Sequence, residues 1–190
     1  MVQNHRLVLA SGSPRRKELL GALDLDFEID SKTAFEELYP EDLPVEKVPL
    51  YLAEGKSQFF HRELAEDEIL ITADTVVIVD GKLLGKPHSK AEARQMLRAL
   101  SAKSHEVLTA VVLRSREKKI AFTDSTKVCF APLSEEEIDY YIERYSPLDK
   151  AGAYGIQEWI GFAAITSIEG SFYNVMGLPV HRIYQELKNF

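Results

Sequence analysis

Residues 68–80, EILITADTVVIVD, constrain the fold of this chain more than any other stretch. The run is apolar and rich in β-branched side chains, which reads as a strand. Asp80 and Gly81 follow as a hairpin turn, and the chain returns through KLLGKP. Elsewhere strand and helix signals alternate. Residues 6–10 read as a strand, 14–23 as a helix, 27–29 as a short strand and 45–64 as a helix. Ser89 with Glu92, and Ser134 with Glu137, are spaced as capping boxes opening helices that run to about Leu100 and Tyr145. HEVLTAVVLRS and KIAFTDSTKVCFAP read as neighbouring strands, SPLDKAGAYGIQEWIG as a Gly-rich loop, FAAITSIEGS as a strand and turn, and 179–188 as a final helix. A hairpin set among alternating elements predicts an α/β protein on a mixed sheet rather than a strictly parallel one.

The 190 residues suffice for one domain with a sizeable core, or for two small lobes around a cleft. No composition shift, repeat or low-complexity tract divides them, so 1–190 is read as a single domain. The net charge of -7 argues against broad nucleic-acid binding, and any polyanion site must be a local basic cluster. Cys129 is the sole cysteine, which excludes an internal disulfide and suits a reducing compartment. The N-terminal MVQNHRLVLASGS has too short an apolar run for a signal peptide, and no run is long enough to span a bilayer. The expectation is a cytoplasmic protein with no membrane partner.

Two arginines stand where a stable helix would not put them. Ser13 is a good N-cap and Pro14 suits the first helical position, so Arg15 and Arg16 fall in the first turn. That end of the dipole favours carboxylates. Either the turn is solvated and the arginines cost about 0.3–1 kcal/mol each, or it is an anion site. Ser11, Gly12 and Ser13 would then supply hydroxyls and a tight turn, the helix its free N–H groups, and the guanidinium groups bidentate contacts. A P-loop sequence occurs nowhere.

Asp74 interrupts the apolar run, and a buried carboxylate needs partners or a metal. It reads either as a strand aspartate satisfied by backbone N–H groups or as a rigid base or metal ligand. Lys56 in AEGKS, Lys86 in LGKP and Lys150 in LDKAGAYGIQ are, singly, ordinary surface lysines. Gln157 has an amide able to read a base. The five histidines lack zinc spacing, and no G-x-S-x-G elbow is present.

Together these segments resemble the Maf family of nucleoside triphosphate pyrophosphatases. LASGSPRRKELL, ADTVV, GKP, DKAGAYGIQ and GSFYNVMGLP match its segments in order along nearly the whole chain. The resemblance implies an elongated mixed β-sheet flanked by helices, with two lobes around a central cleft, similar to inosine triphosphate pyrophosphatases. It implies cleavage of a nucleoside triphosphate to monophosphate and pyrophosphate with Mg²⁺ or Mn²⁺, and admits a homodimer. Asp74 matches the catalytic acid–base position. Ser11, Arg15, Arg16, Lys56 and Lys86 match phosphate-contacting positions, Lys56 and Lys86 being counted with the catalytic set. Lys150 is a further substrate contact. Glu37 falls at the family's acidic loop residue, a metal ligand with Asp74; here the usual Asp–Glu pair is Glu36–Glu37. Ser57 stands where alanine is expected, and Glu158 where many relatives have glycine.

Arg15, Thr75 and Gln157 match the branch that prefers dTTP and UTP, rather than the branch that takes 7-methyl-GTP. Strand alternation points Thr75 to the face opposite Asp74. Two further readings are an inosine-triphosphatase-type enzyme, against which SGSPRR argues, and a non-catalytic nucleotide-binding regulator of cell division, which would not need Asp74. On the enzyme reading the arginines destabilise the empty protein and are compensated by the bound triphosphate.

Overall fold

The computed structural model describes residues 5–190. The first four residues of the N-terminal stretch read above lie outside them. The strands are β1 (Arg6–Leu9), β2 (Phe27–Ile29), β3 (Glu68–Val79), β4 (Lys82–Leu84), β5 (Ser104–Arg114), β6 (Lys119–Phe130) and β7 (Ile165–Glu169). The helices are α1 (Pro14–Gly21), α2 (Val48–Gln58), α3 (Lys90–Leu100), α4 (Glu135–Tyr145), α5 (Trp159–Ala164), α6 (Phe172–Met176) and α7 (Val180–Leu187).

One seven-stranded sheet runs β2-β1-β3-β5-β6-β7, with β4 on β3. β1 is parallel to β2 and β3, whereas β3–β4 and β6–β7 are antiparallel. The sheet is therefore mixed, as the hairpin predicts. Asp80 and Gly81 both take positive φ (50° and 71°), the pattern of a two-residue turn whose twist matches its strands. Every residue of β3 except Thr75 is buried. A strand covered on both faces reads as a continuous apolar run, which is why EILITADTVVIVD stands out.

The described residues fall into two compact units. One holds the chain through Asp74, Thr109–Asp124 and Gly177–Phe190; the other holds Thr75–Leu108 and Ser125–Met176. Three of the four divisions fall inside β3, β5 and β6, where the chain changes unit in mid-strand, and the fourth falls between α6 and α7. No linker composition marks such a boundary, which explains why none was legible. The first unit buries Leu7–Leu9, Leu19, Leu20, Ile69–Ile71 and Val111–Leu113. The second buries Val76–Val79, Ala93, Leu97, Leu100, Val128, Ile138, Tyr141 and Ile142. Among the described residues no helix is long and apolar enough to cross a membrane.

Several local expectations change. The helix expected to reach Leu64 ends at Gln58. Its next carbonyl, on Phe59, accepts from Ala34 N–H and Thr33 Oγ1, and Phe60 bridges Thr33. The loop at 30–44 thus takes the backbone groups that a longer helix would need. At Ser89 the cap is one-sided: its side chain accepts from Glu92 N–H, but the Glu92 carboxylate accepts from His88 N–H. Only Ser134 and Glu137 close a reciprocal box. The late Gly-rich segment contains 3₁₀ turns at Pro147–Asp149 and Ala151–Ala153. Residues 159–164, read as loop and strand, form α5, and strand structure begins only at Ile165. Gly161 permits that turn, because a Cβ there would overlap the Ile156 carbonyl.

Candidate active site

In the first unit, α1 begins as expected. Ser13 is its N-cap and accepts from Arg16 N–H, Pro14 opens it, and no acidic residue stands in its first turn. The Arg16 side chain is satisfied by the protein itself. Its Nε donates to Gly177 O (2.8 Å), and its Nη1 donates to Ala73 O (2.9 Å) and, at 3.4 Å, to Ser11 Oγ. Ser11 Oγ also accepts from Ser13 N–H. Burial pulls the Arg16 guanidinium below its ordinary value; Asp74 and Glu37 oppose that, and Arg15 adds to it. The expectation that Arg16 is a destabilising misfit until nucleotide binds therefore needs correcting. Two backbone carbonyls distant in sequence hold it in place.

Ala73 is the residue before Asp74, so Arg16 is tied to the strand that carries the acid. Asp74 is 8 % exposed. Its Oδ1 accepts from Lys56 Nζ at 2.7 Å, and the same ammonium lies 3.1 Å from Glu37 Oε1. Lys56 comes from α2, Asp74 from β3, and Glu37 from the 30–44 loop. The two carboxylates predicted to bind metal thus converge on one cationic position. Among the described residues no group of three or more His, Cys, Asp or Glu side chains is placed to hold a metal alone. Mg²⁺ is commonly held by one or two carboxylates with the remaining positions taken by water and substrate phosphates. A pair of carboxylates already meeting at a cation fits that chemistry. Arg15 lies half-buried in the same helical turn as Arg16.

The second unit carries the remaining predicted residues. Thr75 is the one half-buried position of β3. Lys86 is exposed in the segment after β4. That segment meets the late Gly-rich one, because Gly152 N–H donates to Gly85 O at 3.0 Å. Gly152 has φ 68°, and a Cβ there would lie 2.9 Å from Val77 Cγ2, so both its conformation and its space require glycine.

Lys150 is buried, with Nζ 2.8 Å from Asp149 Oδ1 and 3.1 Å from Glu158 Oε1. Glu158 Oε2 accepts from the Tyr141 hydroxyl, which in turn accepts from Gly155 N–H at 2.9 Å. Burial and the Glu158 charge push the Tyr141 phenol above its ordinary range, so it stays a donor. Gln157 Oε1 is buried and accepts no hydrogen bond within the protein. An orphaned acceptor of this kind costs about 1–3 kcal/mol and is what a hydrogen-bond-donating ligand would satisfy. Tyr141 and Glu158 were not legible as site residues. Tyr141 lies on a helix with ordinary apolar spacing, and Glu158 differs from the family pattern, so neither carried a motif.

Comparison with known proteins gives the family of the chain. The Maf-like protein family matches residues 6–190. A Porphyromonas gingivalis protein named dTTP/UTP pyrophosphatase is 56% identical over 191 residues, covering 100% of this chain and 96% of that protein. Proteins of the same name from Phocaeicola vulgatus (51%, 98% of this chain and 97% of that protein) and Flavobacterium johnsoniae (49%, 98% and 95%) are also similar. A HAM1 protein structure from Coxiella burnetii aligns with TM-score 0.43 and 16% identity, over 68% of this chain and 74% of that one. With a match that begins in β1, ends at the last residue and takes in both groups of predicted residues, this chain belongs to the Maf-like protein family.

Proposed function

We propose that this protein is a nucleoside triphosphate pyrophosphatase that hydrolyses dTTP and UTP to the monophosphate and pyrophosphate. The observation that carries the reading is the Asp74 carboxylate, buried in the central strand and fixed by Lys56 at 2.7 Å. A buried carboxylate needs a partner, and Lys56 supplies one that keeps Asp74 fixed in the strand; a non-catalytic nucleotide binder has no need of such an acid. The full-length relatives named dTTP/UTP pyrophosphatase support the substrate class.

Water attacks the α-phosphorus, the bond from that phosphorus to the α–β bridging oxygen breaks, and pyrophosphate leaves. Lys56 holds Asp74 through Oδ1, and Oδ2 takes the proton of the attacking water. Arg16, fixed by its carbonyl partners, keeps positive charge at the head of α1. Arg15 and Ser11, at the positive end of the helix, add to it for the phosphates. A divalent cation such as Mg²⁺ or Mn²⁺, held by Asp74 and Glu37, would offset about two of the roughly four negative charges of the triphosphate. Lys86 and Lys150 contact phosphate oxygens, and Gln157, with Thr75 acting indirectly, reads the pyrimidine edge. Positioning and charge stabilisation supply most of the acceleration. The enzyme works in the cytoplasm on the nucleotide pool, consistent with its single cysteine.

The test is a panel of nucleoside triphosphates with Mg²⁺ or Mn²⁺, following pyrophosphate and monophosphate together. dTTP and UTP are expected to turn over best, with ATP and GTP poor. Preference for 7-methyl-GTP or inosine triphosphate would overturn the branch. Nucleotide binding without pyrophosphate release would overturn the enzyme.

A further inference from the structure

Glu37 reaches Lys56 from a loop whose residues are almost all exposed, and something must hold it there. The loop packs one aromatic ring, Phe35, against α2. Tyr51, Gly55 and Phe59 are spaced four apart and so share one face of the helix. Phe35 enters between the two aromatic residues. Its ring stacks on Phe59 (centroids 5.9 Å apart, 16° between planes) and tilts against Tyr51 (6.4 Å). Gly55 forms the floor of this socket. A Cβ there would lie 2.6 Å from Phe35 Cε1 and closer still to Cζ and Cε2. Glycine inside a helix is unfavourable, and here its absent side chain is the space the ring occupies.

The backbone beside the ring is pinned as well. Ala34 N–H donates to Phe59 O at 3.1 Å, and Phe35 N–H donates to Thr33 Oγ1 at 3.1 Å. Two residues on, Leu38 N–H donates to Glu36 O at 2.7 Å, a three-residue turn with Glu37 at its apex. Gly55 immediately precedes Lys56. The socket and the ammonium that Glu37 meets are therefore consecutive residues of one rigid helix.

We infer that Phe35 is a positioning residue that sets Glu37 beside Lys56 and Asp74, with Gly55 as its seat. This rests on the reading that Glu37 serves the pyrophosphatase site. The discriminating variant is Gly55→Ala, which improves the helix while filling the socket. Its Tm should stay near that of the wild type, because the gain in helix propensity offsets the contacts with Tyr51 and Phe59 that the displaced ring gives up. Its kcat/KM for dTTP should fall about 10- to 100-fold, the usual range for residues that orient a ligand-holding group, and Glu37→Gln should fall by a similar factor. Because both act through Glu37, the double variant should lose no more than Glu37→Gln alone. Amide exchange of residues 33–38, followed by mass spectrometry without nucleotide or metal, should quicken about 10-fold or more in Gly55→Ala and in Phe35→Ala.

Multiplying losses in the double variant, unchanged exchange, or full activity of Glu37→Gln would each overturn the inference. A wild-type protein that cleaves no nucleoside triphosphate would overturn the functional reading instead, leaving the exchange result to decide the seat by itself.

Discussion

Replacing Arg16 by alanine separates two accounts of the first turn of α1. If the guanidinium only opposed the helix dipole, its removal would stabilise the empty protein by about 0.3–1 kcal/mol. The structure predicts the opposite sign. Arg16 donates to Gly177 O at 2.8 Å and Ala73 O at 2.9 Å. A hydrogen bond from a charged donor is worth about 1.5–3 kcal/mol, so the two together give roughly 3–6 kcal/mol; the long contact to Ser11 is counted as nothing. Against this stand about 2 kcal/mol of arginine rotamer entropy and the relieved dipole term. The net loss is about 0–4 kcal/mol, with a midpoint of about 2 kcal/mol. For a chain of this size each kcal/mol moves Tm by about 2–4 °C, so at that midpoint Arg16→Ala should melt about 4–8 °C below wild type without nucleotide. Arg16→Lys, which keeps the charge but not the planar fork, should fall between. Adding a non-hydrolysable dTTP analogue should raise Tm less in the variants than in the wild type, since stabilisation follows affinity. An empty Arg16→Ala protein that melts at or above wild type would refute the reasoning and restore the dipole argument.

Asp74→Asn should lower kcat about 10²–10⁴-fold, the usual contribution of a general base, while circular dichroism shows the fold intact; near-normal turnover would remove Asp74 from the mechanism. Gln157→Ala should reduce kcat/KM for dTTP more than any residual activity on ATP, measured by pyrophosphate release; an equal loss on both would mean the amide does not read the base. His105, buried against Phe130 and Tyr154 with Nδ1 unpartnered, is pushed by burial down to about 4. Between that value and the ordinary 6.5 the unfolded chain binds the proton and the folded one does not. His105 therefore favours folding above about pH 6.5 and loses this as pH falls, by about 2 kcal/mol between pH 7 and pH 5. Urea unfolding at the two pH values should show that drop in the wild type and a smaller one in His105→Gln.

The sequence by itself determined the features whose partners lie within a few residues. Ser13–Pro14 opens a helix, Ser134 and Glu137 satisfy each other across one turn, and Asp80–Gly81 supplies the two positive φ values a tight hairpin needs. The mixed sheet followed from that hairpin, and β3 from an apolar run buried on both faces. The family resemblance also singled out Asp74, Lys56 and Glu37, three side chains that the fold brings together at one ammonium group.

Only the tertiary structure decided where those groups meet and what they lean on. Arg16 is held by carbonyls 57 and 161 residues away along the chain. α2 stops at Gln58 because a distant loop claims the Phe59 carbonyl. Gly55 is unfavourable in a helix by its own propensity, and only the fold shows Phe35 filling the space it leaves. Local propensity is set by a residue's own backbone and its near neighbours. A carbonyl, a ring or a carboxylate delivered from the far end of the chain contributes its energy only after folding has closed the intervening loop.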